Sequence, residues 1–174
     1  MINKIAAFTD IHFGARNNSE QHNQDNINFL NFFKTQVTDQ KSEAIWFLAD
    51  WFQHRNAING LTLDYSYAGA KILNDIGLPI YFLVGNHDLY YRHNRSVFTT
   101  NHFEGFKNFN IISEITVKKE FGKKGALFAP YLFHEEYPKL LEYSNIPVWA
   151  MHAEFKGFVV TGESKVLEDG PDHT

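Results

Sequence analysis

Four short apolar runs in this chain each stop on a side chain that can offer a lone pair to a cation. Ile5–Thr9 ends at Asp10, Ala44–Ala49 at Asp50, Pro79–Val84 at Gly85-Asn86-His87-Asp88, and Pro147–Met151 at His152. Brief continuous apolar runs bounded by polar or turn residues are how buried strands of a parallel sheet read. Between the first three runs lie stretches with helical spacing. One runs from about Asp25 to Thr38, with Asp25 or Asn23 as its cap. Its stripe is Ile27, Leu30, Phe33 and Val37, widened by Phe29 and Phe32. The next runs from about Leu61 to Ile76 through Leu61, Tyr65, Ala68, Ile72, Leu73 and Ile76, with Gly77 placed as a C-terminal cap. Strand–helix alternation of this kind predicts an α/β fold. Ligands of open α/β sheets bind outside the carboxyl ends of the strands, so residues far apart in the sequence are expected to meet at one rim. A strand-end Asp or His is unremarkable once; four are hard to obtain from packing alone.

The rest of the pattern is less regular. Ile115–Phe121 and Ala126–Ala129 flank a glycine turn and read as a hairpin, Phe133–Ser144 as a helix, and Phe158–Thr161 as a further strand. The length, 174 residues, is that of a single domain spanning 1–174. With 44% hydrophobic residues and a net charge of -4, the chain is too apolar for disorder and lacks the basic surplus of a dedicated nucleic-acid binder. An enzyme that meets DNA locally, or through bound metal ions, remains allowed. With no cysteine, a disulfide scaffold and a Cys-ligated zinc site are excluded. The opening MINKIAAFTD has no signal-peptide pattern, and no stretch approaches the roughly 20 apolar residues of a membrane span. The expected setting is the cytoplasm, or the host cytoplasm if the chain is phage-encoded.

The residue types gathered at the strand ends suit phosphoester hydrolysis. That reaction needs a nucleophile strong at neutral pH and neutralisation of charge on the phosphoryl oxygens, and two metal ions about 4 Å apart supply both. Such a pair needs a bridging carboxylate, for which Asp50 is the candidate. Imidazole, carboxylate and amide ligands together suit Mn, Fe or Zn better than Ca or Mg. An imidazole that is not a ligand can donate to the phosphate or protonate the leaving oxygen; His87 has that place beside Asn86. Asp88 could orient His87 or its loop by a hydrogen bond.

In these residues the chain resembles the calcineurin-like metallophosphoesterases, whose pattern runs D-x-H, G-D, G-N-H-D/E, a lone His, and G-H-x-H. The matching strings are Asp10-Ile11-His12, Ala49-Asp50, Gly85-Asn86-His87-Asp88 and Met151-His152, spread over about residues 5 to 160. Within the family the strings Gly85-Asn86-His87-Asp88-Leu89-x-Tyr91 and His152-x-Glu154-x-x-Gly157-Phe158 are most similar to the SbcD-like nuclease branch, and there to the recombination nuclease subunits of T-even-like phages. The resemblance implies a β-sandwich flanked by helices (αββα). It implies metal ligation by Asp10, His12, Asp50, Asn86 and His152, catalysis by His87, and two Mn ions as cofactors. It also implies DNA cleavage in repair or recombination, an SMC-type ATPase partner of the SbcC class, and a homodimer. On the same fold a phosphomonoesterase or small-molecule phosphodiesterase is the first alternative. A non-enzymatic piece that binds the ATPase is the second.

Three departures from the pattern matter. Ala49 replaces the glycine before Asp50, a strained choice if that position needs positive φ. Gln53 stands where many phosphatase relatives carry a second Asp. The closing G-H-x-H is missing, and Asp172-His173 has neither the apolar run nor the glycine to replace it. These departures lead to the expectation of a chain cut short at its C-terminus, without the cap region, with an incomplete second sheet and weak turnover on its own. Arg16, Arg92, His93 and Arg95 follow the metal loops and are as well read as solvated charges as phosphate contacts. Lys118, Lys119, Lys123 and Lys124 read as a solvated or edge-protecting face. Phe29, Phe32 and Phe33 read as core, and His22, His54, His102 and His134 have no assigned role.

Overall fold

Alternation within the strands decides the layering of this protein, which a computed structural model describes for residues 1–153 and 155–157. In the strand Ala44–Phe47 (β2), Ile45 and Phe47 face one way, Ala44 and Trp46 the other. The strand Ile80–Leu83 (β3) divides likewise, with Ile80 and Phe82 on one face and Tyr81 and Leu83 on the other. Both faces are apolar, so both must be covered. The strand Ile5–Phe8 (β1) pairs in parallel with β2, β2 with β3, and β3 with Phe109–Ile112 (β4), giving the order β1-β2-β3-β4. Each crossover adds its strand on the same side. Because such crossovers are right-handed, all the connections fall on one face. That face holds the helices Glu20–Asp39 (α1) and Gly60–Asn74 (α2) and the 3₁₀ segment Thr99–Gly105. Leu30, Phe33, Leu73 and Phe103 pack from them onto Ile45, Phe47, Ile80 and Phe82.

The opposite face takes a second sheet. Thr116–Lys118 (β5) pairs antiparallel with Ala126–Ala129 (β6), and β6 pairs in parallel with Trp149–Met151 (β7). Ala126, Phe128 and Ala150 turn inward against Trp46, Tyr81 and Leu83. Leu127 and Ala129 turn outward and are covered by Leu132 and by Leu140 of the 3₁₀ segment His134–Tyr143. The result is a mixed α/β sandwich with helices on the outer face of the parallel sheet.

Several expectations need correction. The first helix starts at Glu20, capped by the Ser19 hydroxyl, which accepts from the His22 N–H. Neither Asp25 nor Asn23 caps it; Asn23 is buried, accepting from the Gly14 N–H and donating to Thr62 Oγ1. The loop before it holds a tight turn in which Arg16, Asn17 and Asn18 have φ of 53°, 58° and 57°, left-handed backbone. Phe33 is core, but Phe29 and Phe32 are exposed. The buried face of α2 is Thr62, Ser66, Gly69, Ala70 and Leu73, while Leu61 and Ala68 face solvent. Small residues win that face because α1 and the Phe13 ring come close: a Cβ on Gly69 would lie 2.8 Å from Leu30 Cδ1 and 3.0 Å from Phe13 Cζ. Strand β4 has no counterpart in the sequence reading, and the predicted helix over 133–144 is 3₁₀, with Pro138 inside it. Among the described residues β5, which carries Lys118, is an edge strand, as its charge suggested. The predicted strand at Phe158–Thr161 lies outside the described residues. No helix among the described residues is long and apolar enough to cross a membrane.

Candidate metal centre

The loops leaving β1 and β2 stay side by side beyond the strands. The Asp10 N–H donates to the Ala49 carbonyl, His12 N–H to that of Asp50, and Phe13 N–H to that of Trp51, at 3.0, 3.2 and 2.8 Å. This continued ladder puts Asp10, His12 and Asp50 together. Asp10, His12, Ala49 and Asp50 all have positive φ, at 55°, 47°, 91° and 61°. Left-handed backbone costs a non-glycine residue roughly 1–2 kcal/mol. Strain concentrated on two adjacent loops is characteristic of a functional site. Ala49 does carry the conformation that the glycine of the family pattern suits.

The ligand atoms of Asp10, His12 and Asp50 all lie within 4.8 Å of one another, and this group could hold a metal ion. His12 Nε2 is 3.4 Å from Asp10 Oδ1 and 3.8 Å from Asp50 Oδ2. His152 Nε2 lies 3.5 Å from the same Asp50 oxygen and 3.0 Å from Asn86 Oδ1. Two atoms bound to one ion at about 2.0–2.2 Å sit about 3 to 4 Å apart. The spacings therefore fit two ions sharing Asp50, one with Asp10 and His12, the other with Asn86 and His152. Four of these residues follow strands of the parallel sheet, whereas His152 follows β7 of the second sheet, so the centre straddles both sheets rather than one rim.

Backbone carbonyls orient two of the imidazoles. His152 Nδ1 is 3.2 Å from the Leu48 carbonyl, and His87 Nδ1 is 2.8 Å from that of Gln53. A tautomer with the His152 proton on Nδ1, facing the Leu48 carbonyl, would turn the Nε2 lone pair toward Asn86 Oδ1 and Asp50 Oδ2. Three acceptors converging on one point repel unless a cation lies among them, and this donor set fits a divalent ion. Asp50 is buried, with no Lys or Arg in an ion pair to it among the described residues. The hydrogen bond from His12, offset in part by burial, holds the Asp10 carboxyl below its ordinary value; the same bond raises the His12 imidazole. The His87 ring stands edge-on to His12, centroids 4.9 Å apart, and the His87 backbone N–H donates to Asp50 Oδ1. The Gln53 and Leu48 carbonyls were invisible in the sequence, because backbone acceptors leave no residue signature.

Asp88 acts on the loops rather than on the His87 ring. Fully buried, it accepts from the N–H groups of Trp51, Phe52 and Gly85 and ties the turn after β2 to the turn after β3. Burial pushes its carboxyl up to about 7, against the pull of those N–H groups.

Arg95 is neither of the two things its sequence position suggested, a solvated charge or a phosphate contact, but is engaged within the fold. Its guanidinium pairs with both oxygens of Glu136, donates to the Tyr131 carbonyl and lies over the Phe133 ring. Although burial alone would raise it, the Glu136 carboxyl is held below its ordinary value by Arg95 and the Phe133 N–H. A depressed carboxyl contributes stability that is present above its unfolded value and lost as pH falls through the folded one. Glu136→Gln should therefore melt below the wild type near neutral pH, by about 1 kcal/mol for a part-buried pair near the surface. The two melting curves, followed by circular dichroism against pH, should converge below the ordinary carboxylate range; a pH-independent gap would refute the role of the charge.

The fold gathers Asp, His and Asn side chains into a cluster that could hold divalent metal ions. The family model for calcineurin-like phosphoesterases matches residues 3–169, and the chain belongs to that family. Among solved structures it is similar to the protein TT1561 of Thermus thermophilus, at 13% identity and a TM-score of 0.55, over 99% of this chain and 74% of that one. It is also similar to the nuclease MPE of Pseudomonas putida, at 15% identity and a TM-score of 0.46, over 75% of this chain. The match takes in 61% of the length of that nuclease. The first likeness concerns the fold alone, and the second carries no weight here. No curated protein matches the chain. Glu154, Phe158 and His173 lie outside the described residues.

Proposed function

We propose that this chain hydrolyses phosphodiester bonds of DNA with two divalent metal ions, Mn foremost, as a nuclease of repair or recombination. The observation that carries the reading is the position of Asp50 Oδ2, 3.8 Å from His12 Nε2 and 3.5 Å from His152 Nε2. Asp10 and His12 would hold one ion, Asn86 and His152 the other, with Asp50 common to both. When bound, the ions supply activation of water and neutralisation of phosphoryl charge.

The protein supplies the rest. Asp88 locks the two turns, so Asp50 and Asn86 keep their spacing. The Gln53 carbonyl takes the His87 Nδ1–H, which leaves Nε2 to face the reacting phosphate. There His87 would serve as proton donor to a phosphoryl oxygen or to the leaving oxygen. The choice of DNA over smaller esters rests on the SbcD-like strings 85–91 and 152–158. The same resemblance extends the proposal to an SMC-type ATPase partner and a homodimer.

The test is hydrolysis by the purified chain in Mn, with linear duplex DNA against p-nitrophenyl phosphate. DNA cleavage that falls by about 10²–10⁴ in His87→Ala, with metal binding kept in calorimetry, is the expected result. Turnover of the monoester alone would replace the nuclease with a phosphomonoesterase. Turnover of neither would leave a binding role beside the ATPase.

A further inference from the structure

Beside the metal centre lies a cleft of about 260 Å³ lined by Arg55, Asn86, Leu89, Arg92 and Tyr131. Asn86 belongs to both. Among the described residues no carboxylate lines this cleft, unlike the larger cavity around Arg95, which Glu114, Glu136 and Glu142 line. Among the described residues neither Arg55 nor Arg92 makes an ion pair or a side-chain hydrogen bond. Arginines left unpaired at the wall of a polar cleft present planar donor forks that match phosphate geometry.

Both arginines sit on anchored backbone. Arg55 follows Gln53, whose N–H donates to the Phe13 carbonyl and whose own carbonyl meets His87. Arg92 lies in the loop from Leu89 to Phe98. Its ends pair as a bridge, the Tyr90 N–H donates to the Val97 carbonyl, and Arg95 fastens it to Tyr131 and Glu136. The same loop exposes Tyr90 and Tyr91, 46% and 40% accessible, with ring centroids 4.8 Å apart. Exposed aromatic rings next to a cationic groove are what a nucleic-acid strand uses, since bases stack on rings while phosphates meet the charges.

We infer that Arg55 and Arg92 hold a backbone phosphate next to the scissile one, making this cleft the track of the substrate strand as it leaves the metal centre. The inference rests on the nuclease reading. It explains how a chain of net charge -4 grips a polyanion: locally, through two unpaired guanidinium groups, and not through its overall charge.

The experiment uses the full chain and the variant Arg55→Ala/Arg92→Ala. Binding of a labelled single-stranded oligonucleotide is followed by fluorescence anisotropy in EDTA across a salt series, and hydrolysis of bis(p-nitrophenyl) phosphate in Mn. That small diester has no neighbouring phosphate. Loss of one phosphate contact should weaken oligonucleotide binding by about tenfold and lower the slope of log affinity against log salt by about one. Hydrolysis of the small diester should be unchanged, and Arg92→Lys, which keeps the charge, should keep most of the slope. An unchanged slope overturns the inference, even if the wild type cleaves DNA. A small-diester rate that falls in step with binding also overturns it, because the substitutions would then act on the metal centre. If the wild type binds oligonucleotide through these arginines but cleaves none, the nuclease reading fails and the cleft stands.

Discussion

Asp50→Asn is expected to abolish cooperative binding of two ions and to lower phosphodiester hydrolysis by about a thousandfold or more, while leaving the metal-free protein no less stable. The rate follows from removing a charge common to both ions, an electrostatic contribution of several kcal/mol at about 1.4 kcal/mol per factor of ten. The stability follows from burial. Asp50 is 3% exposed and makes no ion pair with Lys or Arg among the described residues, so its carboxylate is costly until a cation arrives. Asparagine keeps the oxygen that accepts the His87 N–H. With metal the order reverses: at a hundredfold excess over Kd the wild type gains about 2.7 kcal/mol. In a domain of this size that raises Tm by about 5–10 °C. Thermal melts of both proteins in EDTA and in Mn decide the matter. A variant that Mn stabilises as fully as the wild type would remove Asp50 from the centre.

Gly85→Ala is expected to cost roughly 3 kcal/mol or more and to misplace the centre at the same time. A Cβ at this position would stand 2.0 Å from Asp50 Oδ1, 2.6 Å from the Asp50 nitrogen and 2.9 Å from Ala49 Cβ. A rotamer change can relieve the first clash; only backbone movement relieves the second, which is the usual condition for a large overpacking penalty. The glycine is therefore required for close approach, not for a left-handed φ. Urea unfolding should show the loss, and Mn calorimetry of whatever folded fraction remains should show weakened binding. A variant that unfolds at the wild-type urea concentration would mean that the turn after β3 has room to spare.

How much of this was legible beforehand depends on the kind of signal each feature leaves. The strands β2 and β3 announced themselves because a buried strand must be apolar along its whole length, and the partly exposed β1 and β7 because their apolar runs also stop at a polar residue, which marks the sheet edge. Asp10, His12, Asp50, Asn86, His87 and His152 were all named from that edge, and the structure brings all six together. Helix faces were read less well. Leu61, Phe29 and Phe32 looked like core because they are apolar at helical spacing, but α1 and α2 approach so closely around Gly69 that small side chains occupy the contact. A hydropathy stripe does not register that distance. Strand β4 escaped because Phe109–Ile112 carries Asn110 within a run of four and borrows its definition from β3 beside it.

The sequence by itself determined the strand-and-helix order, the ligand chemistry at the strand ends and the family pattern, since these depend on which side chains occupy which positions along the chain. Only the tertiary structure decided that His152 reaches the centre from the other sheet, that Asp88 holds the loop of His87 and ties it to the turn after β2, and that Arg95 is engaged by Glu136 while Arg55 and Arg92 have no such partner among the described residues. Those assignments depend on distances between segments far apart in the chain and on backbone carbonyls such as those of Leu48 and Gln53. Every residue has such a carbonyl, and folding alone selects the one that meets a histidine.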